Sequence, residues 1–176
     1  MRDEGSALLR AAGWSAFLGA VVSAFGIVFL VLLYVGFFTG AEGLLKFGPL
    51  NDICIIIQYV LALPIVVAFH RLLSPQSPRL SLFAMLVALV GILGVVVFQS
   101  LLITGVMTFL EQVVYASTSM LIVGVWIAIT GFLGRRLGLL NIGVGPIILG
   151  ALYVGYPLWA YRVGQRLLSG NRTTVK

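Results

Sequence analysis

Charge is what this sequence has least of. Charged residues occupy 9% of its 176 positions, against about 25% in an ordinary soluble domain. Five acidic and eleven basic side chains cannot cover the water-facing surface of a globule this size. The shortage excludes an ordinary soluble domain. It suits a bilayer, where lipid-facing positions must be apolar. Cysteine is nearly missing as well. Cys54 stands alone, so no disulfide can close within the chain and no thiolate metal site can form. It reads as a small buried apolar residue. His70 is the single histidine, which excludes a haem held by two histidines of one chain and a histidine-rich metal site. No cofactor and no metal are expected. Gly143-Val144-Gly145-Pro146 follows no strand, so it reads as a helix irregularity and not as a nucleotide fingerprint.

What the chain has in abundance is uninterrupted apolar sequence. Residues 11–41, 80–110, 112–134 and 137–161 carry no charge, and a shorter apolar interval runs between Asp52 and His70. A hydrocarbon core about 30 Å thick needs about 20 helical residues. A membrane barrel would show short alternating segments instead. The reading is all-α: one polytopic transmembrane bundle over residues 1–176, with about five spans near 14–38, 51–72, 81–105, 108–133 and 140–162. Residues 1–13 read as an interfacial lead-in and 169–176 as a polar tail. The first run is too long for a signal peptide and lacks a small-residue cleavage site, so it reads as a retained helix.

The breaks support that division. Gly40-Ala41-Glu42-Gly43 and Gly48-Pro49 mark a first loop, and Leu44 to Phe47 suit the interface. Ser74-Pro75-Gln76-Ser77-Pro78 removes two backbone donors. Gly105 to Met107 leaves room only for a tight turn between antiparallel neighbours. Pro64 and Pro146 fall within helices and should kink them. Small residues recur at helical spacing, as Ser15, Gly19 and Ser23, as Ala16, Ala20 and Ala24, and as Gly124, Ala128 and Gly131. Such stripes let helices approach closely in lipid, within one chain or in a homo-oligomer.

The net charge of +6 comes in short clusters between the apolar runs and forms no face or stripe. That is the pattern of helix-end anchors meeting lipid headgroups, and it makes membrane lipids, not nucleic acid, the partner. Let side A be the side of the N-terminus. With five spans, side A holds Arg2, Arg10, Arg71, Arg79, Arg135 and Arg136, and side B holds Lys46, Arg162, Arg166, Arg172 and Lys176. The short internal loops favour a cytoplasmic side A and N-terminus, while the basic tail pulls the other way.

Polar groups inside a bilayer are costly, and their depth is informative. With alternating helix direction, Asn51, Asp52 and Gln58 fall in the side B half, together with Gln99, Ser100, Thr104, Glu111, Gln112 and Tyr115. The fifth span would add Tyr153, Tyr156, Trp159 and Tyr161 at the same level, as an aromatic belt or a pocket mouth. Asn51, Cys54 and Gln58 share one helix face, as do Glu111, Tyr115 and Thr118. The candidate ligand-binding set is Glu111, Gln58, Gln99, Tyr115, Asn51, Asp52, Tyr153 and Tyr156, with Glu111 as the embedded acid. Against it stands a plainer reading. Glu111 and Asp52 could be helix-start carboxylates, Asn51 a cap, and Gln58 and Gln99 interhelical glue. His70 beside Arg71 suits a helix end.

Around Gly19 and Gly26, at Phe69-His70-Arg71-Leu72-Leu73-Ser74-Pro75, at Gly134-Arg135-Arg136-Leu137-Gly138 and at Tyr156-Pro157-Leu158-Trp159, the chain resembles a family of bacterial multi-helix membrane proteins, defined only as a domain of unknown function. That family has about six spans. The resemblance implies a bacterial inner-membrane location and carries no active residues.

The function expected is that of a non-enzymatic accessory or binding protein. It would hold a lipid-like or apolar small molecule, or a membrane protein partner, in a polar-lined pocket in one half of the bilayer. A small transporter or channel subunit is the alternative. A further one is an intramembrane enzyme using Asp52 and Glu111 as an acid pair.

Overall fold

The computed structural model describes residues 2–136, with side chains from residue 7 onward, and Tyr161, Gly164, Gln165 and Leu168. Four long helices follow one another: α1 (Arg2–Thr39), α2 (Phe47–Leu73), α3 (Pro78–Ile103) and α4 (Phe109–Arg136). A single 3-10 turn, Glu42–Leu44, bridges α1 and α2. The described residues contain no strand. At 1.5 Å per residue the 26 to 28 residues of α2, α3 and α4 reach about 40 Å, and a 30 Å core needs fewer. All four helices are long and apolar enough to cross a membrane. Of the fifth expected span, 140–162, only Tyr161 is described, and the proposed kink at Pro146 also lies outside the described residues.

The expected lead-in is not a separate element, because α1 starts at Arg2 and runs through Gly13 without a break. Ala7, Leu8, Leu9, Arg10, Ala11 and Ala12 are all strong helix formers, with no capping residue or proline to start the helix later. At the other end, Gly40 takes φ +71°, a left-handed conformation that glycine adopts without strain. Pro64 sits inside an otherwise continuous α2. Pro78 opens α3 at its first position, where a missing N–H removes nothing the helix would use.

The turn between α3 and α4 has a definite geometry. Gly105 has φ +71°. Its N–H donates to the Leu102 carbonyl at 3.0 Å, and Val106 N–H donates to Leu101 at 3.0 Å. This paired arrangement is a Schellman ending, which satisfies carbonyls that the helix leaves open. Thr108 and Glu111 then start α4 with a capping box. The Glu111 carboxylate accepts from the Thr108 N–H at 2.9 Å and from its hydroxyl at 2.7 Å.

Neighbours in sequence pack as antiparallel neighbours in space, α1 on α2, α2 on α3 and α3 on α4, with α2 also touching α4. Gly26 of α1 lies against Asn51 and Cys54 of α2, and Gly48 lies against Leu33. The core is buried aliphatic and aromatic surface from all four helices, with Ile65, Val66, Phe69, Val95 and Trp126 among its largest members. The Phe69 and Trp126 rings meet edge to face at 6.1 Å between centroids. Large apolar side chains such as Phe25, Phe83, Val90, Leu93 and Leu121 point outward. In water that surface would be a liability; in acyl chains it is the proper outside.

A close approach of α3 and α4 runs through Gly91 and Gly94. A Cβ at Gly91 would meet Val123 Cγ2 at 2.7 Å and the Ser119 carbonyl at 3.0 Å, and one at Gly94 would collide with Ser119 Oγ. Gly124, a member of the α4 small-residue stripe, meets nothing within 4 Å. Gly91→Ala should therefore cost about 1–3 kcal/mol through overpacking, although alanine is the better helix former by about 1 kcal/mol. Gly124→Ala should be neutral or mildly stabilising. Unfolding of the two variants in mixed micelles would check this, and equal stabilities would contradict the close α3–α4 contact.

Candidate functional site

The side B end of the bundle carries a chain of amides ending on a carboxylate. Gln112, four residues into α4, donates from Nε2 to Gln99 Oε1 on α3. Gln99 in turn donates from Nε2 to Asp52 Oδ1 on α2 at 2.6 Å. The Asn51 side chain also hydrogen-bonds to Asp52. Three helices are thus tied by side chains lying within about two turns of their ends. Gln99 is 1% exposed and Gln112 is 7% exposed, while Asp52 is only partly buried.

The polarity of the chain follows from the residue types. An amide can donate and accept, so Gln99 can stand in the middle, and Asp52 supplies acceptor oxygens at the end. Every hydrogen-bond partner of Asp52 among the described residues is a neutral amide. A carboxyl group in a membrane-spanning helix with no cation beside it is an unusual arrangement, because intramembrane acids usually pair with charge.

The structure sorts the candidate residues into three groups. Asp52, Gln99 and Asn51 come together as expected. Gln58 lies seven residues, about two turns, beyond Asn51 on the same face of α2. That face looks toward α1, where Gly26 lies against Asn51 and Cys54. Gln58 is 8% exposed, and its amide makes none of the described side-chain hydrogen bonds. It does not bond Gln99, whose two amide atoms are taken by Asp52 and Gln112.

Glu111 and Tyr115 form the second group, and both depart from expectation. Glu111 is exposed, with its carboxylate turned back onto Thr108. The embedded acid of this end is Asp52. The cause is a rotation of one residue. Gln112 lies on the buried face of α4 with Ala116, Ser119 and Val123, so its neighbour Glu111 lies 100° away on the outer face. Tyr115 is also exposed, its ring stacked on Phe98 at 5.1 Å. Asp52 and Glu111 therefore make their hydrogen bonds to different partners. The third group, Tyr153 and Tyr156, lies outside the described residues.

Sequence reasoning put Gln112 at the right depth without making it part of the site. The capping pattern Thr108-x-x-Glu111 was the available signal. It assigns Glu111 to the helix start and leaves Gln112 as the inward amide.

Side A has a second polar contact. His70 Nδ1 lies 2.6 Å from Ser81 Oγ, and Ser81 Oγ donates to the His70 carbonyl at 3.1 Å. Serine has one hydroxyl proton. Given to the carbonyl, it leaves Oγ to accept from an Nδ1–H. The pair clasps the end of α2 to the start of α3. Ser81 is 2% exposed, too enclosed to meet a substrate as a nucleophile. Among the described residues no group of three or more histidine, cysteine, aspartate or glutamate side chains could hold a metal ion.

Tyr161 also departs from expectation. A fifth crossing would end it on side B, yet its ring lies 6.2 Å from that of Phe17, in the N-terminal half of α1. Gly164 is buried against the same stretch, where an added Cβ would sit 3.0 Å from the Gly13 carbonyl and 3.1 Å from the Phe17 nitrogen. Gly13 and Ala16 have too little side chain to keep a glycine backbone away. Tyr161 and Gly164 thus lie beside the N-terminal half of α1.

Comparison with family models, with curated proteins and with solved structures finds no match.

Replacing Gln99 should matter most among the amides, because it alone makes two interhelical bonds. Such bonds in membrane proteins contribute about 0.6 kcal/mol on average and up to about 1.7. Gln99→Leu should cost about 2 kcal/mol and Gln112→Leu about 1, measured by denaturation in mixed micelles. The reverse order would mean that the relay does not run through Gln99.

Proposed function

We propose that this chain is a non-enzymatic accessory or binding protein of a bacterial inner membrane. Its side B polar cluster receives the polar end of a lipid-like molecule. Asp52 carries this reading. It is a partly buried carboxyl in a spanning helix, bonded among the described residues only to neutral amides, and a carboxylate has about four lone-pair sites to offer. Gln99 and Asn51 occupy some of them. A ligand that adds a donor at Asp52 and lays an apolar body along the helices would complete the set.

The ligand class follows from that chemistry. The polar end should be a donor such as an amine or hydroxyl, because an ionised acid would meet Asp52 with a second negative charge. The apolar body would lie against surfaces that include Leu50, Ile53 and Ile103, all exposed near this end. Glu111 is outside the proposed site, since Thr108 already uses its carboxylate.

Orientation belongs to the same proposal. Among the described residues, four crossings leave Lys46 as the single basic residue on side B, against Arg2, Arg10, Arg71, Arg79, Arg135 and Arg136 on side A. Arg162, Arg166, Arg172 and Lys176 lie outside the described residues. The basic residues of the described helices and loops thus favour a cytoplasmic side A by the positive-inside rule.

Two experiments test these statements. Dodecylamine and dodecanol should raise the melting temperature of the purified protein more than that of Asp52→Asn, and dodecanoate should not discriminate between them. Equal shifts in both proteins would remove Asp52 from ligand binding. For orientation, Lys46→Cys in a Cys54→Ser background should react with a membrane-impermeant maleimide added outside intact cells. Labelling only after the cells are opened would reverse the topology.

A further inference from the structure

Among the described residues eight polar side chains are buried: Ser23, Asn51, Gln58, Ser81, Gln99, Gln112, Ser119 and Thr130. Six of them are hydrogen-bonded. Asn51, Gln99 and Gln112 belong to the Asp52 cluster. Ser81 donates to the His70 carbonyl, Ser119 to that of Tyr115 and Thr130 to that of Trp126. The remaining two, Ser23 on α1 and Gln58 on α2, make no hydrogen bond among the described residues. Ser23 is 5% exposed and Gln58 is 8% exposed. Ser23 lies at the middle of the span Ala7–Thr39, and Gln58 lies close to the middle of Phe47–Leu73. Both are therefore deep in the hydrocarbon, where a bare amide or hydroxyl is most costly.

The α1–α2 packing brings these two side chains together. A Cβ on Gly26 would sit 3.3 Å from Cys54 Cβ and 3.5 Å from Asn51 Oδ1, so Gly26 and Cys54 face each other across the seam. Ser23 lies three residues before Gly26, and Gln58 lies four residues after Cys54. The helices are antiparallel, so both steps lead toward side A, by about 4.5 Å and about 6 Å. At about 100° per residue they turn Ser23 by about 60° and Gln58 by about 40° from the line joining Gly26 and Cys54. Opposite helix directions make both turns swing to the same side of the seam. A helical side chain also leans toward the N-terminus of its own helix. Gln58 therefore reaches back toward side B and Ser23 toward side A, onto a common level.

We propose that the α1–α2 seam is a binding site for one internal water molecule at mid-membrane, shared by the Gln58 amide and the Ser23 hydroxyl. The donor and acceptor inventory fits. The amide donates from Nε2 and accepts at Oε1, and the hydroxyl does both, so a water between them finds the two to four polar partners that a buried water needs. Bulk water does not reach this depth, so the molecule is trapped with the groups it satisfies. The cover over both side chains excludes a lipid headgroup, which would have to open the seam to enter. The water joins two helices whose side chains are not bonded to each other, and it does for α1 and α2 what the direct Gln99–Asp52 bond does for α2 and α3. The site is separate from the Asp52 cluster and does not rest on the ligand proposed there.

The test has two readouts on the full chain in micelles. In protein labelled with nitrogen-15 at glutamine, the Gln58 side-chain amide, identified by its loss in Gln58→Met, should show a nuclear Overhauser cross-peak to water. In unfolding by denaturant, Gln58→Met and Ser23→Ala should each lower the folding equilibrium constant about threefold, the size of one average interhelical bond. The double variant should lose little more than either single one, because each change alone breaks the bridge. A rise in stability in Gln58→Met would mean that the amide is bare, and would overturn the proposal. Losses that multiply in the double variant would overturn it too, since the two groups would then share nothing. Coupled losses without the water cross-peak would replace the bridge by a direct Ser23–Gln58 bond. The cross-peak is read on the unaltered protein and stays decisive if a variant does not fold.

Discussion

A polar side chain held between helices in hydrocarbon has no water to turn to, and that constraint shapes the side B end of this bundle. Gln112, Gln99 and Asp52 are arranged as donor, intermediary and acceptor because those residue types can be joined only in a limited number of ways. An amide at each of the first two positions lets the bonds run in one direction across three helices. Remove the carboxyl at the end, and the Gln99 amide loses its acceptor. The bond energies are small individually, but each is set against an unsatisfied group in a medium that offers few substitutes. The rest of the interface is apolar packing, which brings the helices together without choosing their rotation. The polar chain chooses it.

Close contact and polar contact divide the work along the α3–α4 pair. Near the middle, Gly91 and Gly94 admit Ser119 and Val123 to the α3 backbone. Toward side B, Gln99 and Gln112 take over. The first interaction needs missing atoms and the second needs particular ones. Together they set both the distance between the helices and their register, which no single contact would do. The α2–α3 pair uses the His70–Ser81 clasp at one end and the Gln99–Asp52 bond at the other. α2 consequently serves as the central helix, with α1 on one side and α3 on the other.

The spans were legible because the bilayer imposes length and apolarity together. Expected segments at 51–72, 81–105 and 108–133 differ from the observed α2, α3 and α4 by at most four residues at any end. The start of α1 was misjudged because a helix can continue past the hydrocarbon at little cost when its residues favour it, as Ala7 to Ala12 do. Depth within the site was also legible, since it follows from counting along alternating helices. Rotation was harder. Glu111 and Gln112 are adjacent in sequence, and the choice of which one turns inward rested on Thr108, whose backbone and hydroxyl draw the glutamate outward. The expected level of Tyr161 failed for another reason. It assumed a complete crossing after α4, and residues 137–160 lie outside the described ones.

The Schellman turn and capping box joining α3 to α4 bear on how the protein enters its membrane. On the proposed orientation, with side A cytoplasmic, the segment between Ile103 and Phe109 is the part of this hairpin carried across the bilayer. Its carbonyls at Leu101 and Leu102 already accept from Val106 and Gly105, and the adjoining carboxylate of Glu111 is occupied by Thr108. The tip therefore moves with much of its hydrogen bonding internally satisfied and with no basic side chain to drag through. With that orientation the two helices can insert as a preassembled pair, and Arg79 and Arg136 would stay behind as a stop on the cytoplasmic side.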